Sequence, residues 1–219
     1  MTKTDREIRD AVICELEWDA KVAEHAIEVR VDRGGVVLAG SVGSWAERLL
    51  AQDAAQRVHG VRDVSNRLEV QLSPAARRPD SELAESVRRA LDADVFMPKA
   101  NISSSASSGQ VVLEGRVDSC AQRDDAERLV RNLRGVRSVL NQISVRPMVA
   151  EAHQIQDSIE AALERRAEPD ARRINLDVHD GKVIVSGVVH SWAERQSVLS
   201  VARGTRGVRS VDDRLSLEP

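Results

Sequence analysis

Apolar positions along this chain follow one pattern that is written three times. Ile8, Val12 and Leu16 make an i, i+4, i+8 stripe, which returns as Leu83, Val87 and Leu91 and again as Ile155, Ile159 and Leu163. That spacing sets the three side chains on one side of a helix, so each repeat opens with an amphipathic helix. Ile27, Val29 and Val31 then alternate with polar residues, as do Ile174, Leu176 and Val178, which is the period of a half-buried strand. Asp32-Arg33-Gly34-Gly35 and His179-Asp180-Gly181-Lys182 read as hairpin turns, with Gly34, Gly109 and Gly181 supplying a positive φ. The second strand runs from Val36 to Val42, Val111 to Val117 and Val183 to Val189. Its weak alternation predicts that both faces meet other atoms, as in the middle of a small sheet.

Gly40, Gly115 and Gly187 interrupt that strand at one register, which predicts a bulge or a close backbone approach by the packing helix. Capping boxes follow at Ser44-x-x-Glu47, Ser119-x-x-Gln122 and Ser191-x-x-Glu194 and start a second helix. Its apolar face is Ala51, Ala54, Ala55 and Val58, matched by Ala126, Leu129, Val130 and Leu133 and by Val198, Val201, Ala202 and Thr205. Gly60, Gly135 and Gly207 fall where a left-handed helix cap is expected. A last strand then passes through Val64, Leu68 and Val70, with Val139, Ile143, Val145 and Val211, Leu215, Leu217 as counterparts. From Gly60 to Gly135 is 75 residues and from Gly135 to Gly207 is 72, and the other landmarks keep those offsets.

The order helix, strand, strand, helix, strand predicts an α+β fold of three tandem αββαβ modules. The first two strands form a hairpin, and the second helix is a crossover that lays the third strand parallel to the second, with both helices on one sheet face. The modules are expected over 1–73, 80–146 and 151–219. Each is near the size at which a single core is marginal, so separate small cores aided by docking between copies are expected. Prolines 74, 79 and 147 stiffen the linkers at 73–80 and 146–150 and limit relative motion. In the middle repeat the first strand falls on Ile102–Ser108, a serine run of poor strand propensity, so that edge is expected to be frayed or completed by a neighbour.

Composition works mainly by exclusion. Aromatic residues make up 2% of the chain, so sites that stack bases or sugars on rings have almost no raw material. A net charge of -3, spread evenly, provides no basic field for a nucleic-acid partner. Cys14 and Cys120 match no redox or zinc spacing and read as free thiols in a reducing compartment. No apolar run follows Met1-Thr2-Lys3, and no segment is long enough to span a bilayer, so the expectation is a cytoplasmic protein, peripheral at most to a membrane.

The valine-rich strand broken by glycine, the Ser-Trp-Ala-Glu-Arg helix start at 44–48 and 191–195, and the Gly-Val-Arg-x-Val-x-Asn-x-Leu run from Gly60 resemble the BON domain, named for bacterial osmotically inducible and nodulation proteins. The resemblance covers nearly the whole chain, three times. It implies the αββαβ fold read above, an origin in bacterial envelope or stress-response proteins, many of them periplasmic, and binding to phospholipid membranes. Gly40, Gly115 and Gly187 match the family's glycine, and Asn66, Asn141 and Asp213 stand at its polar position in the last strand.

For an enzyme, a nucleophile, a base and an orienting group must converge. The histidines at 25, 59, 153, 179 and 190 occupy unrelated places without metal-ligand spacing, and there is no glycine-rich phosphate loop. The expectation is a non-catalytic binding protein without cofactor or metal. Its partner is an anionic phospholipid surface or, alternatively, another protein in a scaffold or adaptor role that includes self-association, with a small ligand between modules as a third reading. Contact residues are Trp18, Phe96 and Met97 beyond the first helices, with Arg88 and Arg89 as cations for anionic headgroups. Trp45 and Trp192 either anchor a partner or staple their helix starts onto their own or the next module. The recurring arginines at 48, 123 and 195 and at 62, 137 and 209 read as solvated faces with local ion pairs.

Overall fold

The computed structural model describes residues 3–18, 27–94, 101–146, 152–165 and 174–218. Within them the repeated pattern folds as three modules of one topology. The first holds α1 (Asp5–Trp18), β1 (Ile27–Asp32), β2 (Gly35–Val42), α2 (Trp45–Arg57) and β3 (Asp63–Val70). The second holds α3 (Asp80–Ala93), β4 (Ile102–Ser107), β5 (Gln110–Val117), α4 (Cys120–Arg131) and β6 (Ser138–Val145). The third holds α5 (Ala152–Arg165), β7 (Ile174–His179), β8 (Lys182–Val189), α6 (Trp192–Gly204) and β9 (Ser210–Leu217). In each sheet the second strand lies in the middle, antiparallel to the first and parallel to the third.

The hairpins turn on two residues with positive φ, Arg33-Gly34, Ser108-Gly109 and Asp180-Gly181, a geometry whose twist matches that of the strands it joins. In the first module the Asp5 carboxylate accepts from Arg33 N and Gly34 N, each at 2.9 Å, and in the second Asp80 does the same for Ser108 and Gly109. The third module has Ala152 at that position and lacks the clamp.

Gly115 is needed because a chain passes too close for a side chain. Its φ is +143°, and a Cβ there would sit 2.0 Å from the carbonyl oxygen of Asn101. The approaching backbone is the entry to β4, whose Asn101 O accepts from Arg116 N at 3.0 Å, and not the packing helix as expected. Gly40 and Gly187 share the positive φ. Gly60, Gly135 and Gly207 also have positive φ but lie past the helix ends, because Val58 N already closes α2 on Ala55 O, so these glycines shape the following turn instead of capping the helix.

β4 pairs along its whole length with β5, which corrects the expectation of a frayed edge. Ser103, Ser105 and Ser107 point outward while Ile102, Ser104 and Ala106 share the less exposed side, with Ile102 and Ala106 packed on the core, so the serine run still satisfies the period of a strand. The apolar stripes of all three first helices are buried. Burying each such Val, Leu or Ile contributes about 1.5–3 kcal/mol. Module 1 has its own cluster, but the cores of modules 2 and 3 merge into one, in contrast to the separate cores expected. Cys120, 0% exposed, joins this merged core, and Trp45 packs against both clusters.

Equivalent positions make the joints between modules. Trp45 N donates to Val136 O at 3.4 Å, Cys120 Sγ to Val208 O at 3.4 Å, and Trp192 Nε1 to Val61 O at 3.1 Å. Trp45, Cys120 and Trp192 are one repeat position, and Val61, Val136 and Val208 are another. Module 1 therefore reaches module 2, module 2 reaches module 3, and module 3 reaches back to module 1, which closes a pseudo-threefold ring. The second helices of the modules face its middle, with Asp124 of α4 3.8 Å from Arg203 of α6.

Candidate functional site

The structure separates the contact residues named from sequence into two groups. Trp18 ends α1 and is 83% exposed, and one turn earlier Ile13 (37% exposed) and Cys14 are also open to solvent. Arg88 and Arg89 lie exposed on α3, in a different module, with Arg89 3.3 Å from Glu85. Phe96 and Met97 lie outside the described residues. Trp45 and Trp192 stand at the joints between modules, half-buried. Arg48 and Arg195 stack over their rings, 4.8 and 4.9 Å from the centroids, and do not stand on solvated faces as the repeat suggested. Trp45 Nε1 and Arg48 Nε are buried without a hydrogen-bond partner, whereas in the third module both equivalents are satisfied.

The polar residue of the last strand ties each second helix to its sheet. Asn66 Nδ2 donates to Arg48 O at 2.8 Å and its Oδ1 accepts from Leu68 N at 3.2 Å. Asn141 repeats this with Arg123 O and Ile143 N. Asp213 lacks the amide, so it keeps the bond from Leu215 N and takes the guanidinium of Arg195 at 2.9 Å instead.

Between modules 3 and 1 the ring leaves a cleft of about 780 Å³. α2 and its following turn supply Asp53, Arg57 and His59, α4 supplies Arg131, and the start of α6 supplies His190 and Trp192. The two histidines, read from sequence as unrelated, are thus brought to one place. They occupy non-equivalent repeat positions in different modules, so only the ring closure reveals their convergence. Although much of Asp53 opens to the cleft, surrounding protein displaces enough water to push its carboxyl up, while Arg131 and Arg57 pull it partly back. Arg57 is already paired with Glu15 at 2.8 Å. The Ser191 hydroxyl is engaged as the helix cap, accepting from Glu194 N at 3.1 Å. Burial pushes the Cys120 thiol up as well, away from the thiolate form. Among the described residues no group of three or more His, Cys, Asp or Glu gathers as metal ligands, and no helix is long and apolar enough to cross a membrane.

A family model described as the BON domain matches residues 4–71, 79–147 and 152–219. The chain is 33% identical over 124 residues to osmotically-inducible protein Y of Escherichia coli (strain K12), a match that covers 55% of this chain and 62% of that protein, less than two thirds of the relative's length. It is 30% identical over 111 residues to the protein of the gshII 5′ region of Anaplasma centrale, covering 48% of this chain and 74% of that one. CdsD, a structural protein of the type III secretion system of Chlamydia trachomatis, aligns over 97% of this chain and 93% of its own at 12% identity and a TM-score of 0.28, a level at which the likeness carries no argument.

Proposed function

Because this chain belongs to the BON domain family, in three tandem copies, we propose that it is a non-catalytic binding protein of the envelope or osmotic stress response that attaches peripherally to anionic phospholipid. The observation that carries this reading is Trp18. It is the one tryptophan that the ring does not cover, and with Ile13 and Cys14 it makes an exposed apolar end to α1. Indoles favour the headgroup level of a bilayer, and one such anchor supports weak, reversible attachment that neighbouring cations strengthen. Arg88 and Arg89, exposed on α3 of the second module, offer further cations, Arg89 by giving up its pairing with Glu85. The stress assignment rests on the name of the osmotically inducible relative. The absence of turnover is supported by the commitment of Ser191 to its helix cap and by the burial of Cys120.

Co-sedimentation with vesicles of phosphatidylglycerol and phosphatidylcholine, against phosphatidylcholine alone, tests the proposal. Pelleting is expected only with the anionic vesicles, weakened by salt and reduced in Trp18→Ala and in Phe96→Ala. If neither vesicle pellets the chain, the protein-contact reading takes its place. That alternative has its own observation in the outer face of the second module's sheet, where Leu140, 44% exposed, lies beside Val112.

A further inference from the structure

We propose that the cleft between modules 3 and 1 binds a small amphipathic organic anion, its charged head against Arg131 and the two imidazoles and its apolar body against Trp192, Ala193 and Leu217. At about 780 Å³ the space is of the size that holds a small molecule, and all three modules contribute to it, so it exists only when the ring is closed.

The charges facing the cleft set the sign of the ligand. α2 brings Asp53 and Arg57, the latter held by Glu15 of α1, and the turn after it brings His59. α4 brings Arg131, and the approach to α6 brings His190, whose backbone N–H is taken by Glu194 and whose Nδ1 lies 2.9 Å from Glu218 O. Asp53 is the single carboxylate among the lining residues, and it stands against Arg57, Arg131 and two imidazoles. Cation and apolar wall therefore meet in one cavity, the arrangement that selects an anion with a hydrophobic body over a bare ion or a neutral ring.

This joint differs from the other two at the positions that matter. The residues equivalent to His190 and His59 are Gly43 and Arg134 at the joint between modules 1 and 2, and Asp118 and Arg206 at the joint between modules 2 and 3. Across the helices, Asp124 faces Arg203 between modules 2 and 3, and Arg131 acts on Asp53 between modules 1 and 2. The pair equivalent to Asp124 and Arg203 is Gln196 with Gln56 between modules 3 and 1, both on the cleft wall. The joint between modules 3 and 1 thus holds two glutamines and an open space where modules 2 and 3 share an ion pair.

The test is calorimetric titration of the full chain with 2-naphthoate, its neutral isostere 2-naphthamide, and inorganic phosphate. Naphthoate is expected to bind one to one. Arg131→Gln is expected to weaken it about tenfold and Asp53→Asn to tighten it severalfold, opposite effects that a general loss of folding does not produce. Naphthamide should bind about tenfold more weakly with no dependence on either variant, and phosphate should bind more weakly for want of the apolar contact. Absence of saturable naphthoate binding at millimolar concentration, equal affinity for the amide, or binding untouched by both substitutions would overturn the proposal. Trp18→Ala should leave naphthoate binding unchanged, which separates this site from the membrane reading.

Discussion

Single glycines and single ionisable groups carry much of the local logic. Gly115 faces the Asn101 carbonyl at a distance no Cβ tolerates, so Gly115→Ala is expected to destabilise the chain by about 3 kcal/mol or more. Gly204, at the end of α6, has nothing within 4 Å of a built Cβ, and Gly204→Ala is expected to raise stability by about 0.4–1 kcal/mol. Thermal melts of the two variants check both signs. Asp53 offers a test in pH. Its folded-state carboxyl titrates above the unfolded one, so ionising it opposes folding at neutral pH, and that opposition disappears below both values. Asp53→Asn should therefore melt higher than the wild type near neutrality and equally well in strong acid. The thiols divide in the same way: an aromatic disulfide reagent should modify exposed Cys14 at once and buried Cys120 only at the rate of unfolding. Modification of both thiols at one rate would mean that the joint at Cys120 is open.

At the level of elements, sequence periodicity was sufficient for nearly everything inside a module. The i, i+4, i+8 stripes became buried helix faces, and the serine caps accept from Glu47 N, Gln122 N and Glu194 N at 3.1–3.2 Å. Replacing any one of these serines by alanine is expected to lower stability by about 1 kcal/mol, measured by urea unfolding. The second half of each box reaches one residue further back than usual. Glu47, Gln122 and Glu194 accept from Gly43, Asp118 and His190, and Glu47 is 8% exposed. The serine run of β4 misled because propensity describes an isolated strand, whereas cross-strand pairing and two inward apolar residues decided the outcome. The aspartate clamps on the first two hairpins were visible only as acids at equivalent helix starts, with nothing in their spacing to say what they would accept.

For the whole molecule, the repeat register contained the joints in disguise. Trp45, Cys120 and Trp192 were legible as one position, and so were the valines after the conserved-register glycines, but periodicity within a module cannot say which module a side chain will meet. The candidate site was less legible still, since His59, Arg131 and His190 come from three modules and from unmatched positions. The central claim is that the three modules close on one another and do not hang in a row. Small-angle X-ray scattering of the full chain tests it most directly. A closed ring of this length should give a radius of gyration of about 17 Å, the value for a compact chain of 219 residues. A value of about 25 Å, which the same scaling gives for three separate modules end to end, would contradict it.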